Sequence, residues 1–325
     1  MSITLGIVVP CYNEEAVLPE TATRMLALLR QLIDSKKISE RSRIYFVDDG
    51  SRDKTWSLIE DLSRGSRHIA GIKLARNRGH QNALLAGLFT AEGDALVSID
   101  ADLQDDITVI EKRVADHRDG SQVVYGVRQK RKKDTFFKRV TAEGFYRIIA
   151  LVGAETVYNH ADFRLMSRRA VEALKGFREA NLFLRGIVPL IGYRSSIVYY
   201  DRTERFAGES KYPFHKMLGL ALDAITSFSV LPLRLITLIG FVVFLLATFM
   251  SGWTLWIRFV IGDAVPGWTS IALPLFILGG IQILCLGIMG EYLGKIYVET
   301  KARPRFIIER VLEHEATAAP DPAEK

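Results

Sequence analysis

The chain is poor in cysteine: Cys11 and Cys285 are the whole complement of its 325 residues. One follows an expected strand and the other lies inside an apolar run. A disulfide scaffold is therefore excluded, and a reducing compartment is expected. There is no G-x-x-x-x-G-K-[ST] loop and no G-x-G-x-x-G fingerprint, so P-loop and dinucleotide signatures are missing. No Cys/His cluster has zinc spacing, and no G-x-S-x-G elbow occurs. The N-terminus has no basic flank, and its apolar run at 3–9 is too short for a secretory core. The first domain is expected to stay in the cytoplasm.

Charge is missing from one region only. From 235 to 290 the sole charged residues are Arg258 and Asp263, whereas the first 230 residues are densely charged. The mean hydropathy of +0.13 thus averages two populations. It is too high for disorder and too low for a multi-span carrier. The net charge of +6 is also local. Residues 128–139 read RQKRKKDTFFKR, and their seven basic residues against Asp134 carry the whole excess.

The first half alternates strand-like and helix-like segments. Strands are expected at 3–9, 43–47, 71–74, 94–99 and 122–126, and helices at 15–33, 55–62, 81–91 and 108–118. Such alternation implies an α/β domain around a mostly parallel sheet with both faces covered. Ligands of these sheets bind beyond the carboxyl ends of the strands. The polar clusters 11–15, 48–51 and 100–105 fall there.

Two apolar stretches follow, 235–257 and 269–290. At 1.5 Å per residue each reaches roughly 33 Å, enough to cross a hydrocarbon core. Arg234 precedes them, and Lys295, Lys301, Arg303 and Arg305 follow, so both termini are expected on the cytoplasmic side of the inner membrane. Two buried core helices are the alternative, but Trp253, Trp256 and Trp268 near the boundaries favour spans. Residues 137–152 (Phe137, Val140, Phe145, Ile148, Val152) and 212–234 (Phe214, Met217, Leu218, Leu222, Ile225, Phe228) each gather apolar side chains on one helical face. They read as interfacial helices, although core-facing helices have the same pattern. Residues 291–325 read as a basic segment and a frayed acidic tail.

The chemistry concentrates in acids at strand ends. Asp100-Ala101-Asp102 sets two carboxylates two residues apart after an apolar strand, and Gln104 and Asp105 add oxygens. Such hard ligands suit Mg²⁺ or Mn²⁺, which takes one or two carboxylates plus substrate phosphates. Asp48-Asp49-Gly50-Ser51 ends the second strand similarly. A carboxylate there can accept from a uracil N–H or a ribose hydroxyl, but an Asx-turn or helix cap reads equally well for Ser51 and Asp53.

Pro10-Cys11-Tyr12-Asn13-Glu14-Glu15, Asp48-Asp49-Gly50-Ser51 and Asp100-Ala101-Asp102-Leu103-Gln104-Asp105 stand in order at strand ends. Together they resemble the motifs of family 2 glycosyltransferases of GT-A fold. Within that family the chain is most similar to polyprenyl-phosphate glycosyltransferases, such as dolichyl-phosphate mannose synthases and bacterial bactoprenol glucosyltransferases. Arg205-Phe206-Ala207-Gly208-Glu209-Ser210-Lys211 resembles their RxxGESK motif. The two spans and the ending Gly290-Glu291-Tyr292-Leu293-Gly294-Lys295 resemble the bacterial branch. The resemblance covers roughly residues 3–310. It implies a GT-A catalytic domain at 1–211, followed by the interfacial and membrane segments.

The resemblance also implies roles. Pro10, Tyr12, Glu14 and Asp49 would hold the nucleoside. Asp100, Ala101, Asp102 and Gln104 would hold the metal and the donor diphosphate, with Arg205 and Lys211 meeting phosphates. Arg128, Arg131 and Arg139 are candidates for the lipid phosphate. Asp162 falls where the family carries an acid near the reacting centre. A phosphate monoester has a second pKa near 6 and is already a nucleophile, so Asp162 is expected to orient groups or stabilise an oxocarbenium-like centre and not to take a proton. The implied reaction is an inverting transfer, with glucose from UDP-glucose to undecaprenyl phosphate as the leading version. GDP-mannose, UDP-GlcNAc or a modified pentose nucleotide are alternative donors. A non-catalytic nucleotide-sugar-binding scaffold for a flippase partner is the alternative of another class.

The basic stretch 128–139 shows neither basic residues interleaved with stacking aromatics nor a recognition fold for nucleic acid. It runs into an apolar-faced helix, so an anionic leaflet and a lipid phosphate are its expected partners. His80 and Gln81 open a helix, as donor contacts or as caps. Gly290 and Gly294 permit close helix approach. A homo-oligomer is expected from relatives of this type.

Overall fold

The computed structural model describes residues 2–128, 160–179, 184–201 and 268–312, together with single helical positions between 236 and 256. Arg131, Arg139, Arg205, Lys211, both expected interfacial helices and most of 235–257 lie outside the described residues.

Strand β1 (Leu5–Cys11, LGIVVPC) is buried at every position. It lies between β2 (Arg43–Asp48) and β4 (Ala95–Ser98), parallel to both, and β3 (Ile69–Leu74) pairs parallel with β2. Continuous apolar runs are what strands covered on both faces require. Helix α1 (Leu18–Asp34) begins with Pro19 in its first turn and buries Leu18, Ala22, Met25, Leu29 and Leu32 at helical spacing. Helix α2 (Thr55–Gly65) follows β2, and α3 (His80–Thr90) follows β3. A Cβ on Gly87 of α3 would clash with Val8 Cγ1 and stand 2.7 Å from Val47 Cγ2, so α3 lies hard against β1 and β2. After β4, a 3₁₀ turn (Ile107–Val109) leads into α4 (Ile110–Arg118) and β5 (Val123–Arg128).

The later elements were not legible as strands and helices in the sequence. They are β6 (His160–Ser167), α5 (Arg168–Leu174), α6 (Leu184–Leu190), β7 (Ser195–Tyr200) and β8 (Ile308–Leu312). The eight strands form one sheet in the order β7-β5-β6-β4-β1-β2-β3-β8. β6 runs antiparallel to β4 and β5, and β8 antiparallel to β3. The sheet is thus mostly parallel, as expected, with β6 and β8 as its two antiparallel strands. The domain does not take all its strands from 1–211. β8 closes the β3 edge, held by Lys73–Glu309 and Arg310–Glu60 pairs, both at 2.9 Å.

The chain divides into two compact units, and the sheet belongs to the first. The second carries α7 (Trp268–Thr300), a 33-residue helix. Ile271, Leu275, Ile283, Leu286 and Leu293 are all exposed along it. Its Ile281–Thr300 part is long and apolar enough to cross a membrane by length and composition, and it is the one such helix among the described residues. The expected second span at 269–290 lies inside α7. The helix runs on to Thr300, so Glu291 does not open a separate segment. The expected first span falls mostly outside the described residues.

Candidate functional site

The carboxyl ends of β1 and β2 are cross-linked by hydrogen bonds. Asn13 N–H donates to Ser51 Oγ at 3.0 Å, and Arg52 N–H to Asn13 Oδ1 at 2.9 Å. Glu14 N–H donates to Thr55 Oγ1 at 2.9 Å, and Lys54 N–H to Glu15 Oε2 at 3.0 Å. Asp53 caps α2 through Thr55 N–H. Ser51 and Asp53 thus serve the loop itself. Between the strand ends, Tyr12 stays 41% exposed.

Asp49 is buried, and its two oxygens accept from Arg78 N–H at 2.7 Å and Gly79 N–H at 2.9 Å. Burial pushes its carboxyl up, and these two bonds oppose the rise. A Cβ on Gly50, at φ +67°, would sit 2.6 Å from Asn77 N. Only glycine lets the β2 loop approach the 76–79 turn this closely. That turn aims His80 at the acidic loop, with Nε2 3.4 Å from Asp100 Oδ1.

The acidic loop is pinned at both ends. Thr21 Oγ1 donates to Ala101 O at 2.8 Å, and Tyr200 Oη donates to Asp105 Oδ1 at 2.9 Å. Gln104 N–H closes an Asx-turn on Asp102 Oδ1 at 3.2 Å, and Leu103 takes a left-handed φ of 55°. Burial pushes the Asp100 carboxyl up. His80 opposes this, and Asp105, Asp162 and Asp102 add to it. Among the described residues no three His, Cys, Asp or Glu side chains group closely enough to hold a metal alone. Asp100, Asp102 and Gln104 nevertheless form an all-oxygen donor set with surplus negative charge. Its chemistry fits a hard divalent cation.

Asp162 enters from β6, whose antiparallel pairing sets Arg164 opposite Ser98 at the end of β4. Arg164 Nη2 donates to Asp162 Oδ1 at 2.7 Å, and Arg185 Nη2 donates to Oδ2 at 3.1 Å. Burial alone would push this carboxyl up, but the two guanidiniums outweigh it and hold it far below the usual carboxylate range. Arg164 Nη1 also donates to Leu184 O at 3.2 Å, and Leu184 N–H donates to Gln81 Oε1 at 3.1 Å. Gln81 therefore fastens α6 to the start of α3, which neither expected role for it anticipated.

Behind the acidic loop lies Arg113, fully buried on α4. Its guanidinium stacks 3.3 Å from the Phe163 ring centroid and has no hydrogen-bond partner among the described residues. Burial pushes it down to about 9, against the pull of Tyr200 and Asp105. Gly126 of β5 makes room for it, since a Cβ there would meet Arg113 Nη2.

The structure thus brings Asp49, Asp100, Asp102, Gln104 and Asp162 to one end of the sheet, beside Pro10, Tyr12, Glu14 and the buried Ala101. Arg128 ends β5 opposite Tyr200. Arg164, Arg185, Thr21 and Tyr200 were missed, because single residues of these types outside any motif carry no sequence pattern. Both cysteines are free, as expected. A cleft of about 650 Å³ lined by Glu40, Arg41, Arg43, Arg67, Glu92 and Asp94 lies at the opposite, amino ends of the strands. Its arginines and acids balance, and it shares no residue with this site.

Residues 6–175 match the model of the family described as glycosyl transferase family 2. The chain is 52% identical over 307 residues to the uncharacterized glycosyltransferase YkoT of Bacillus subtilis (strain 168), covering 94% of this chain and 91% of that one. It is 40% identical over 308 residues to the prophage bactoprenol glucosyl transferase homolog of Escherichia coli (strain K12), covering 94% and 99%. It is 39% identical over 305 residues to the bactoprenol glucosyl transferase of Shigella phage SfX, covering 94% and 98%. Among solved structures, mannosyl-3-phosphoglycerate synthase from Rubrobacter xylanophilus aligns at a TM-score of 0.46 and 14% identity, over 69% of this chain and 72% of that one.

Proposed function

The chain belongs to glycosyl transferase family 2, and from that premise we propose that it transfers a sugar from a nucleotide donor to a polyprenyl phosphate at a membrane surface. The observation that carries this reading is the convergence of Asp49, Asp100, Asp102 and Asp162 at the carboxyl ends of β1, β2 and β4. UDP-glucose and undecaprenyl phosphate are the leading substrates, in keeping with the bactoprenol glucosyl transferases that the chain resembles over nearly its whole length.

In this reading the nucleoside lies over the joined β1–β2 loops, against Tyr12, Glu14 and Asp49. Asp100, Asp102 and Gln104 would hold a divalent cation, which would supply positive charge to stabilise the diphosphate leaving group. An oxygen of the lipid phosphate attacks the anomeric carbon while the bond from that carbon to the diphosphate oxygen breaks, inverting the centre. The acceptor is already anionic near neutral pH, so no side chain has to remove a proton from it. Asp162, with both oxygens engaged by arginines, serves as a fixed anion that orients them. Ile281–Thr300 and the stretch 235–257 anchor the enzyme in the membrane, and the basic residues 128–139 meet its anionic surface and the lipid phosphate.

The test is a screen of radiolabelled UDP-glucose, UDP-GlcNAc and GDP-mannose against undecaprenyl phosphate with Mg²⁺ or Mn²⁺. A labelled lipid from UDP-glucose that disappears with EDTA is expected. Binding of nucleotide without lipid product from any donor would favour the scaffold alternative. Full metal-dependent turnover by Asp102→Ala would overturn the metal assignment.

A further inference from the structure

We infer that Arg185 is a phosphate-binding residue of this site, meeting a substrate phosphate with the guanidinium that rests on Asp162 in the structure. The inference deepens the transfer reading above and rests on it.

Asp162 needs one arginine for neutrality and has two. Arg164 meets that need: its side chain is only 2% exposed, and its bond to Oδ1 is the shorter at 2.7 Å. Arg185 binds the same carboxylate at 3.1 and 3.4 Å and remains 36% exposed. Of the two arginines, the accessible one is Arg185. A surface ion pair of ordinary kind would float on a flexible stem. Here the backbone next to Arg185 is held twice, by Gln81 at Leu184 N–H and by Arg164 at Leu184 O. The guanidinium is therefore presented in a set place and orientation.

That place is the sheet end where the acids converge. His80 reaches Asp100 from α3, the charge of Asp162 acts on Asp100, and Gln81 on the same turn of α3 fastens Leu184. A planar fork of donors suits a phosphate bidentately. Both substrates carry this chemistry, the donor as a diphosphate and the acceptor as a phosphate monoester. Sequence pattern gave no hint of the residue, since Arg185 stands alone between Leu184 and Gly186.

The test uses the full chain in detergent, with Arg185→Ala and Arg185→Lys. Binding of UDP and of a short-chain prenyl phosphate is measured by calorimetry, and melting temperature is read in parallel. Arg185→Ala is expected to weaken one of the two ligands about tenfold or more, with Lys restoring part of the loss and melting little changed. Weaker UDP assigns Arg185 to the donor diphosphate, and weaker prenyl phosphate assigns it to the acceptor. Unchanged affinity for both overturns the inference, even if the variant melts lower. Wild-type protein that binds both ligands yet transfers no sugar defeats the transfer reading alone. Wild-type protein that binds neither defeats both.

Discussion

Tyr200 at the end of β7 donates its hydroxyl proton to Asp105 Oδ1 at 2.9 Å, tying the loop that carries Asp100 and Asp102 to an outer strand of the sheet. The bond is buried, so neither group can turn to water instead. Tyr200→Phe should cost about 1–3 kcal/mol of stability and raise the KM for the sugar donor more than it lowers kcat. Thermal melts and steady-state kinetics on the purified chain check both. An unchanged donor KM would mean that the bond only braces the fold.

Asp162 makes a prediction about acid. Its folded-state carboxyl sits far below its unfolded value, so its contribution is complete above about pH 4 and is lost as pH falls further. Asp162→Asn leaves two arginines around a neutral amide and should cost about 3–5 kcal/mol near neutrality. The gap between wild type and variant, measured by denaturant unfolding, should narrow below about pH 4. Transfer by the wild type should show no titration of this group between pH 5 and 8.

Arg113 predicts the opposite sign. Its guanidinium is buried without a hydrogen bond among the described residues and is pushed down to about 9. Arg113→Met keeps contact with Phe163 and removes the desolvated charge, so its stability at pH 7.5 should equal or exceed that of the wild type. Because the folded value lies below the unfolded one, the wild type should gain on the variant as pH rises through about 9. Paired unfolding curves between pH 7 and 10 test this.

Gly87 tests the placing of α3. Alanine would normally favour a helix by about 1 kcal/mol over glycine. Here its methyl would drive into Val8 and Val47. Gly87→Ala should therefore be destabilising by about 1–3 kcal/mol and should weaken nucleotide binding by moving His80. A melting temperature at or above the wild-type value would refute the packing argument.

The α/β core was readable because its physics is local. Strands β1 to β4 are short apolar runs, α1 repeats its apolar residues at helical spacing, and the acids stand at strand ends where a sheet leaves backbone groups open. The expected boundaries differ from the observed ones by a few residues, as at β1, which runs to Cys11 and not to Val9. The reading failed where pairing is between distant segments. β6 and β8 are antiparallel strands, and β8 enters the sheet from beyond the apolar helix. Nothing within five residues of Ile308 predicts that Leu74 is its partner.

What was legible in the sequence is the family: three motifs in order at strand ends, at 10–15, 48–51 and 100–105, carry the resemblance to glycosyl transferase family 2 that the whole-chain comparison shows. The apolar run ending at Gly290 is long enough to cross a membrane. Only the tertiary structure decided how the acids of the site are used. Asp49 braces the turn before α3, Asp105 is held by Tyr200, and Asp162 is locked between Arg164 and Arg185. The reason is that a carboxylate's role depends on which donors reach its two oxygens. In this chain the donors to Asp49, Asp105 and Arg185's partner Asp162 come from residues up to 95 positions away.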